Sequence, residues 1–218
     1  MGQYYHAVLE RNGKRQVAMP VVNGDWQGLK LMEHSWFRNS FMSVIAKKLL
    51  KKPTRVIWCG DYAEDVELQA LNPELNLDNT YNSKKAKGVT CKNINLDILK
   101  GKYLVNHDKK VYIDLDRYSL IAEEFNKGTG WESYVANPIS ILTAVGNDRG
   151  GGDYYSGDRT TCFEHVGTWA YDLISIETKA PTDYKEERHI IFTEHVTDEN
   201  RHLVDVYGLN TTLASTCI

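Results

Sequence analysis

Apolar residues along this chain mark short strands more often than long helices. Residues 3–9 (Gln-Tyr-Tyr-His-Ala-Val-Leu) are aromatic and partly alternating, and residues 15–22 form a second such run after the turn Arg11-Asn12-Gly13-Lys14. Asn-Gly between two strand-like runs predicts a hairpin, because a tight two-residue turn needs positive φ at both central positions. Asn23-Gly24-Asp25 reads as another turn, and residues 29–32 as a short apolar piece. Phe41, Met42, Val44, Ile45, Leu49 and Leu50 then fall at helical spacing. Ser35 or Asn39 would cap that helix, Lys47, Lys48, Lys51 and Lys52 suit the negative end of its dipole, and Pro53 stops it. Residues 54–58 (Thr-Arg-Val-Ile-Trp) read as a buried strand running out into Cys59-Gly60-Asp61.

The rest of the pattern is less regular. Residues 64–100 are polar, with no clear period, and predict irregular structure with a short helix or strand. Residues 103–106 and 110–115 flank Asn106-His107-Asp108-Lys109 as a second hairpin. A short helix is expected over 117–126, broken by Gly128-Thr129-Gly130. Residues 139–144 are apolar and lead into a glycine-rich loop. Further strands are expected at 173–176, 188–193 and 203–207. Hairpins outnumber plausible crossover helices. The pattern therefore predicts one α+β domain over residues 1–218, with a mainly antiparallel sheet and a few packed helices. There is no internal repeat and no low-complexity tract.

Composition narrows the class. The 218 residues are 42% hydrophobic and 25% charged, which is ordinary for a globular chain. The formal net charge is −3, which argues against nucleic acid as a partner. The lysines at 47–52 and Lys84, Lys85 and Lys87 read as solvated faces. Cys59, Cys91, Cys162 and Cys217 have neither zinc nor disulfide spacing. No apolar run reaches the roughly 20 residues that span a bilayer, and no apolar leader opens the chain. The expectation is a cytoplasmic protein with reduced thiols and no membrane partner.

Candidate chemistry concentrates in Asn147-Asp148-Arg149-Gly150-Gly151-Gly152-Asp153. Three glycines in a row supply bare amides that can form an anion-binding nest, and Arg149 adds a cation. The spacing is neither the Walker loop nor the dinucleotide fingerprint. Asp148, Asp153 and Asp158 would repel an anion unless a metal intervened. Asp61 follows a glycine at the end of a buried strand, as Asp153 follows one in the loop, so the pair could share a divalent cation. The glycine loop and the Gly60-Asp61 turn are expected to face one cleft. His34 could serve as a base or ligand, and Trp169 or Tyr171 could stack a planar ring. The plainer readings stand beside these: Asp61 as a turn cap, His34 as a packed residue, Trp169 and Tyr171 as core aromatics, and His107 as a turn residue. Cys59 and Cys162 read as buried thiols. His189 and His195 lie too far apart for a helical zinc pair.

Several blocks together carry a resemblance: Met1-Gly2-Gln3-Tyr4-Tyr5, Gly28-Leu29-Lys30-Leu31-Met32-Glu33-His34-Ser35, Trp58-Cys59-Gly60-Asp61-Tyr62-Ala63, Val105-Asn106-His107, Gly150-Gly151-Gly152-Asp153 and Val166-Gly167-Thr168-Trp169. The chain resembles a family of uncharacterised proteins of bacteria and their phages. Asp148 and Thr168 depart from the residues common there. The resemblance implies a set of positions and a phage context, not an activity. Three functions follow from the residues. The leading one is a binding protein for a small anionic or nucleotide-like ligand, using Arg149, Gly150, Gly151, Gly152, Trp169 and Tyr171; in a phage it could sequester a host signalling nucleotide. The second is a metal-assisted hydrolase of phosphate esters using Asp61, Asp153 and His34. The third is an interaction module that blocks a host defence protein by its surface.

Overall fold

A computed structural model of the chain describes residues 1–22, 25, 26, 29–83, 87–91, 94–126, 135–154 and 165–187. The strands expected at 188–193 and 203–207 lie outside the described residues, as do Asp158, Cys162, His189, His195 and Cys217.

The first hairpin forms as its turn chemistry requires. β1 (Tyr5–Arg11) and β2 (Lys14–Val22) pair antiparallel from Arg11↔Lys14 to Ala7↔Ala18. Asn12 and Gly13 both take positive φ, 52° and 68°, the pair that a type I′ turn needs. β3 (Asp25–Trp26) pairs antiparallel with the end of β2, at Val21 and Val22. After the one-turn helix α1 (Leu31–His34), α2 spans Ser40–Leu49. Its cap is Asn39, whose side chain accepts the amides of Phe41 and Met42 at 2.8 and 3.3 Å. Lys47 and Lys48 occupy its last turn. Arg11 closes that end from the hairpin by donating to the carbonyls of Lys48 and Lys52 at 3.1 and 3.4 Å.

β4 (Thr54–Gly60) is the central strand. It pairs antiparallel with β1 along its length. Its other edge takes β9 (Leu173–Glu177) at Thr54 and Arg55, and β8 (Ala144–Val145) at Trp58 and Cys59. Between these come α3 (Asp65–Leu71), α4 (Leu77–Thr80), β5 (Lys87–Thr90), the hairpin β6 (Tyr103–Asn106) and β7 (Val111–Asp114), α5 (Leu115–Asn126) and α6 (Pro138–Leu142). β10 (Lys185–Glu186) pairs with β7. The strand order is β10-β7-β6-β9-β4-β1-β2-β3, with β5 joined to β2 and β8 to β4. Six of the nine pairings are antiparallel, so the chain is α+β on a mixed, mainly antiparallel sheet.

Alternation along β1 and β4 sends successive side chains to opposite faces. Tyr5, Ala7, Leu9, Val56 and Trp58 join the larger core with α2, α5 and α6. Val8, Ile57 and Cys59 join a smaller one with Leu68 of α3 and Leu75. Both faces of the central strands are covered, which is why residues 56–60 are continuously buried. Leu49, Ile45 and Ile57 are each at most 1% exposed, and each such side chain contributes about 1.5–3 kcal/mol. Among the described residues, no helix is long and apolar enough to cross a membrane.

Candidate functional site

The chain's opening residues are threaded between the two turns that sequence reasoning singled out. Gly2 bridges Gly151, the Gln3 amide donates to Gly151 O at 3.0 Å, and Gly151 N donates to Met1 O at 2.9 Å. On the other side, Asp61 N donates to Tyr4 O at 2.9 Å while Asp61 Oδ1 accepts the Tyr4 amide at 3.1 Å. Gln3 is wholly buried between them and donates to Gly146 O at 2.8 Å. The glycines follow from this closeness. A Cβ on Gly60 would lie 2.0 Å from Gln3 Nε2, and one on Gly150 would lie 2.5 Å from Gln3 Cβ and 2.9 Å from its backbone N. Gly152 has φ +94°, and a Cβ there would lie 2.7 Å from the Lys30 stem; Gly151 has only ordinary contacts, at 3.5 Å. The glycine loop and the Gly60-Asp61 turn therefore do meet, but through packed backbone and Gln3.

Asp153 is the centre of this knot. It was expected to present its carboxylate to a metal or ligand, yet it is 0% exposed. Oδ1 accepts the Tyr5 hydroxyl at 2.8 Å, and Oδ2 accepts the amides of Arg149 and Gly150 at 2.9 and 3.0 Å. Of the three glycine amides expected to cradle an external anion, that of Gly150 thus serves the loop's own carboxylate and that of Gly151 donates to Met1 O. Burial and then Asp153 push the Tyr5 hydroxyl far above its usual range, so it remains a donor. Asn147 shuts the base of the loop by exchanging both side-chain hydrogen bonds with the backbone of Tyr154, at 2.7 and 3.0 Å. Arg149 turns towards α3. It donates to Tyr62 O at 2.6 Å and pairs with Glu67 at 3.0 Å and Glu64 at 3.4 Å.

The other candidates fall into separate settings. Asp61 is half-buried; burial raises its carboxyl above the usual value, with Asp153 adding to the rise and the amides of Tyr4 and Asp61 opposing it. Among the described residues, no group of three or more His, Cys, Asp and Glu side chains could hold a metal ion. His34 accepts the Lys30 amide at Nδ1 (3.1 Å), a local contact within the α1 turn. Trp169 is 1% exposed and lies in the larger core, so its ring faces offer no stacking surface. Tyr171 is tied into a polar ladder on the smaller-core face. Its hydroxyl donates to Glu10 at 2.8 Å and accepts from Asn72 at 3.0 Å, and Arg55 lies over its ring at 5.3 Å. The Cys59 thiol is pushed up to about 12, chiefly by burial, which leaves it protonated and unreactive at neutral pH.

His107 is more than a turn residue. Nε2 lies 2.8 Å from Ser175 Oγ, Nδ1 lies 3.3 Å from Tyr184 OH, and Ser175 donates to Glu177 at 2.7 Å. Sequence reasoning also gave no role to Gln3, Tyr5, His6, Tyr81 or Glu67. His6 stacks on Tyr81 with centroids 3.9 Å apart and planes 5° apart, and Nδ1 meets Tyr81 O at 3.1 Å. A glutamine and a histidine within an otherwise apolar strand are the available hint, since a buried polar group requires a partner.

Beside the knot lies a cleft of about 370 Å³, walled by Glu67 and Leu71 of α3, by Ala144, Gly146 and Asn147, and by Val166, Gly167 and Ala170. Glu67 is the Arg149 partner, so the glycine loop, the α3 N-terminus and the turn before Trp169 border one space. Fold and site together define an α+β protein with a closed glycine loop beside a small cleft. No family model, no curated protein and no solved structure matches the chain.

Proposed function

We propose that the protein binds a small anionic or nucleotide-like ligand at the cleft beside α3. The observation that carries this reading is the position of Arg149. It grips Glu67, which lines the cleft, and its other carboxylate partner, Glu64, is largely exposed at 3.4 Å. Ion pairs of that exposed kind contribute about 0–1 kcal/mol, so an incoming phosphate or carboxylate can exchange for Glu64 at small cost. The cleft volume lies at the lower end of the range for small-molecule sites, about 300–1,000 Å³. Four of its wall residues, Ala144, Gly146, Gly167 and Ala170, are small and leave room for a flat ring. The ligand's charge would meet the Arg149 guanidinium, because the loop amides of Arg149 and Gly150 are already engaged by Asp153. In a phage setting, such a protein would act by withdrawing a host signalling nucleotide.

The hydrolase alternative asks more of the same residues. Asp153 would have to surrender the Tyr5 hydroxyl and two amides before it could hold a cation. Calorimetry against a panel of nucleotides and cyclic dinucleotides tests the proposal. At least one should bind the wild type, and Arg149→Ala should weaken it by about 1.5–3 kcal/mol, the scale of a charged hydrogen bond. A wild type that binds none of them, or an Arg149→Ala protein that binds equally well, would remove the reading. Release of a cleaved product, stopped by a chelator, would move the protein to the metal-assisted hydrolases.

A further inference from the structure

A second cavity, of about 680 Å³, opens against the larger core, between α5, the turn at 96–100 and the residues that precede α2. Its floor is apolar: Leu99 is 1% and Val135 4% exposed, and Phe37 packs against the same cluster. Five large hydrophobic side chains are exposed among the described residues, and two of them, Leu96 and Leu120, stand on this rim. Leu120 is 63% exposed, so it projects beside the cavity and does not fill it. A protruding apolar side chain next to an apolar hole is a self-complementary shape.

The charges of the rim are divided in the same way. Arg38, Asp97 and Lys100 belong to one wall, where Lys100 remains in excess of the Arg38–Asp97 pair, and Asp116 and Glu123 of α5 belong to the other. The bonds that already hold these groups are weak or local. Arg38 pairs with Asp97 at 3.1 Å with both side chains more than half exposed; Asp116 accepts the Gly101 amide at 2.8 Å; Glu123 accepts the Ser119 hydroxyl at 3.1 Å. A patch that carries its own steric and electrostatic complement is what a two-fold axis uses, because each feature meets its counterpart twice. We propose that this face is the interface of a homodimer, in which Leu120 of each copy enters the cavity of the other and Glu123 of each copy faces the Arg38 and Lys100 wall of the other.

Sedimentation equilibrium of the full chain at micromolar concentration tests this. The wild type should be a dimer. Leu120→Glu should be monomeric at the same concentration with an unchanged circular dichroism spectrum, since Leu120 is mostly exposed. Lys100→Glu and Glu123→Lys should each weaken the dimer about tenfold in Kd, because each pair occurs twice across the axis. The double reversal should recover most of that loss. A monomeric wild type, a dimer indifferent to Leu120→Glu, or a double reversal no tighter than the singles would each overturn the proposal.

Discussion

Asp153 and Asp61 each follow a glycine, and the sequence presents them as equivalent carboxylates. Their surroundings make them opposites. Asp153 is buried with three donors on its two oxygens, whereas Asp61 is half-buried, with burial raising its carboxyl. A carboxyl whose folded value lies above its ordinary 3.8 supports folding only when protonated. That support is present below 3.8 and is lost as pH rises through the folded value. Asp61→Asn, which keeps an acceptor for the Tyr4 amide, should therefore raise Tm at pH 7, and the gain should vanish towards pH 3. Thermal melts of the two proteins across that range check this; an Asp61→Asn protein less stable than wild type at pH 7 would show that the charge is needed. Residue identity alone could not separate the two aspartates, because the difference lies in Tyr5 and Tyr4, far away in the sequence.

At the scale of elements, the parts governed by local rules were legible. The Asn12-Gly13 hairpin, α2 with Asn39 as one of two candidate caps, and the central strand over 54–58 all follow from turn chemistry, capping and apolar spacing. α3 and α4 were hidden in a polar stretch with too few apolar positions to show a period. Their signals are capping boxes instead, Glu64 with Glu67 and Asn76 with Asn79. The glycine loop was visible as a special element, but its purpose was not. Bare glycine amides suggest a ligand, and here they reflect close packing on Gln3 and Lys30. A distinct stability pattern follows for the three positions. Gly150→Ala and Gly152→Ala should each destabilise by more than about 1 kcal/mol, the first by steric overlap and the second by overlap and positive φ. Gly151→Ala, with ordinary contacts, should fall within about 0.5 kcal/mol of wild type. Urea denaturation distinguishes these outcomes. Three glycines needed only for a ligand would leave all three stabilities alike.

The whole molecule is organised by pairings of high sequence separation, and these were the least legible. β4 takes β8 and β9 on one edge, and residues 1–5 lock onto residues 150–153; both depend on surfaces formed only when the chain has folded. Two histidines, His6 buried and His107 half-buried, mark the same kind of long-range contact. His6 holds Tyr81 to the sheet, and His107 holds Tyr184 and Ser175. Burial lowers both below the ordinary 6.5. The neutral rings therefore support folding fully above 6.5, and this support is lost as pH falls through their lowered folded values. Tm should be flat between pH 7 and 8 and decline below about pH 6. A His6→Gln, His107→Gln protein should be less stable at pH 7 and decline less on acidification. Equal pH slopes for the two proteins would sever the link.

The lock of residues 1–5 onto the glycine loop centres on Asp153 as the internal anion of that loop. The most direct test is a double-mutant cycle of Tyr5→Phe and Asp153→Asn, followed by urea denaturation. Each single change should cost about 1–3 kcal/mol. The double variant should lose less than the sum, by roughly 1 kcal/mol or more, because the two side chains share one buried hydrogen bond. Additive losses, or an Asp153→Asn protein as stable as wild type, would contradict that role and return Asp153 to the candidates for a ligand or metal.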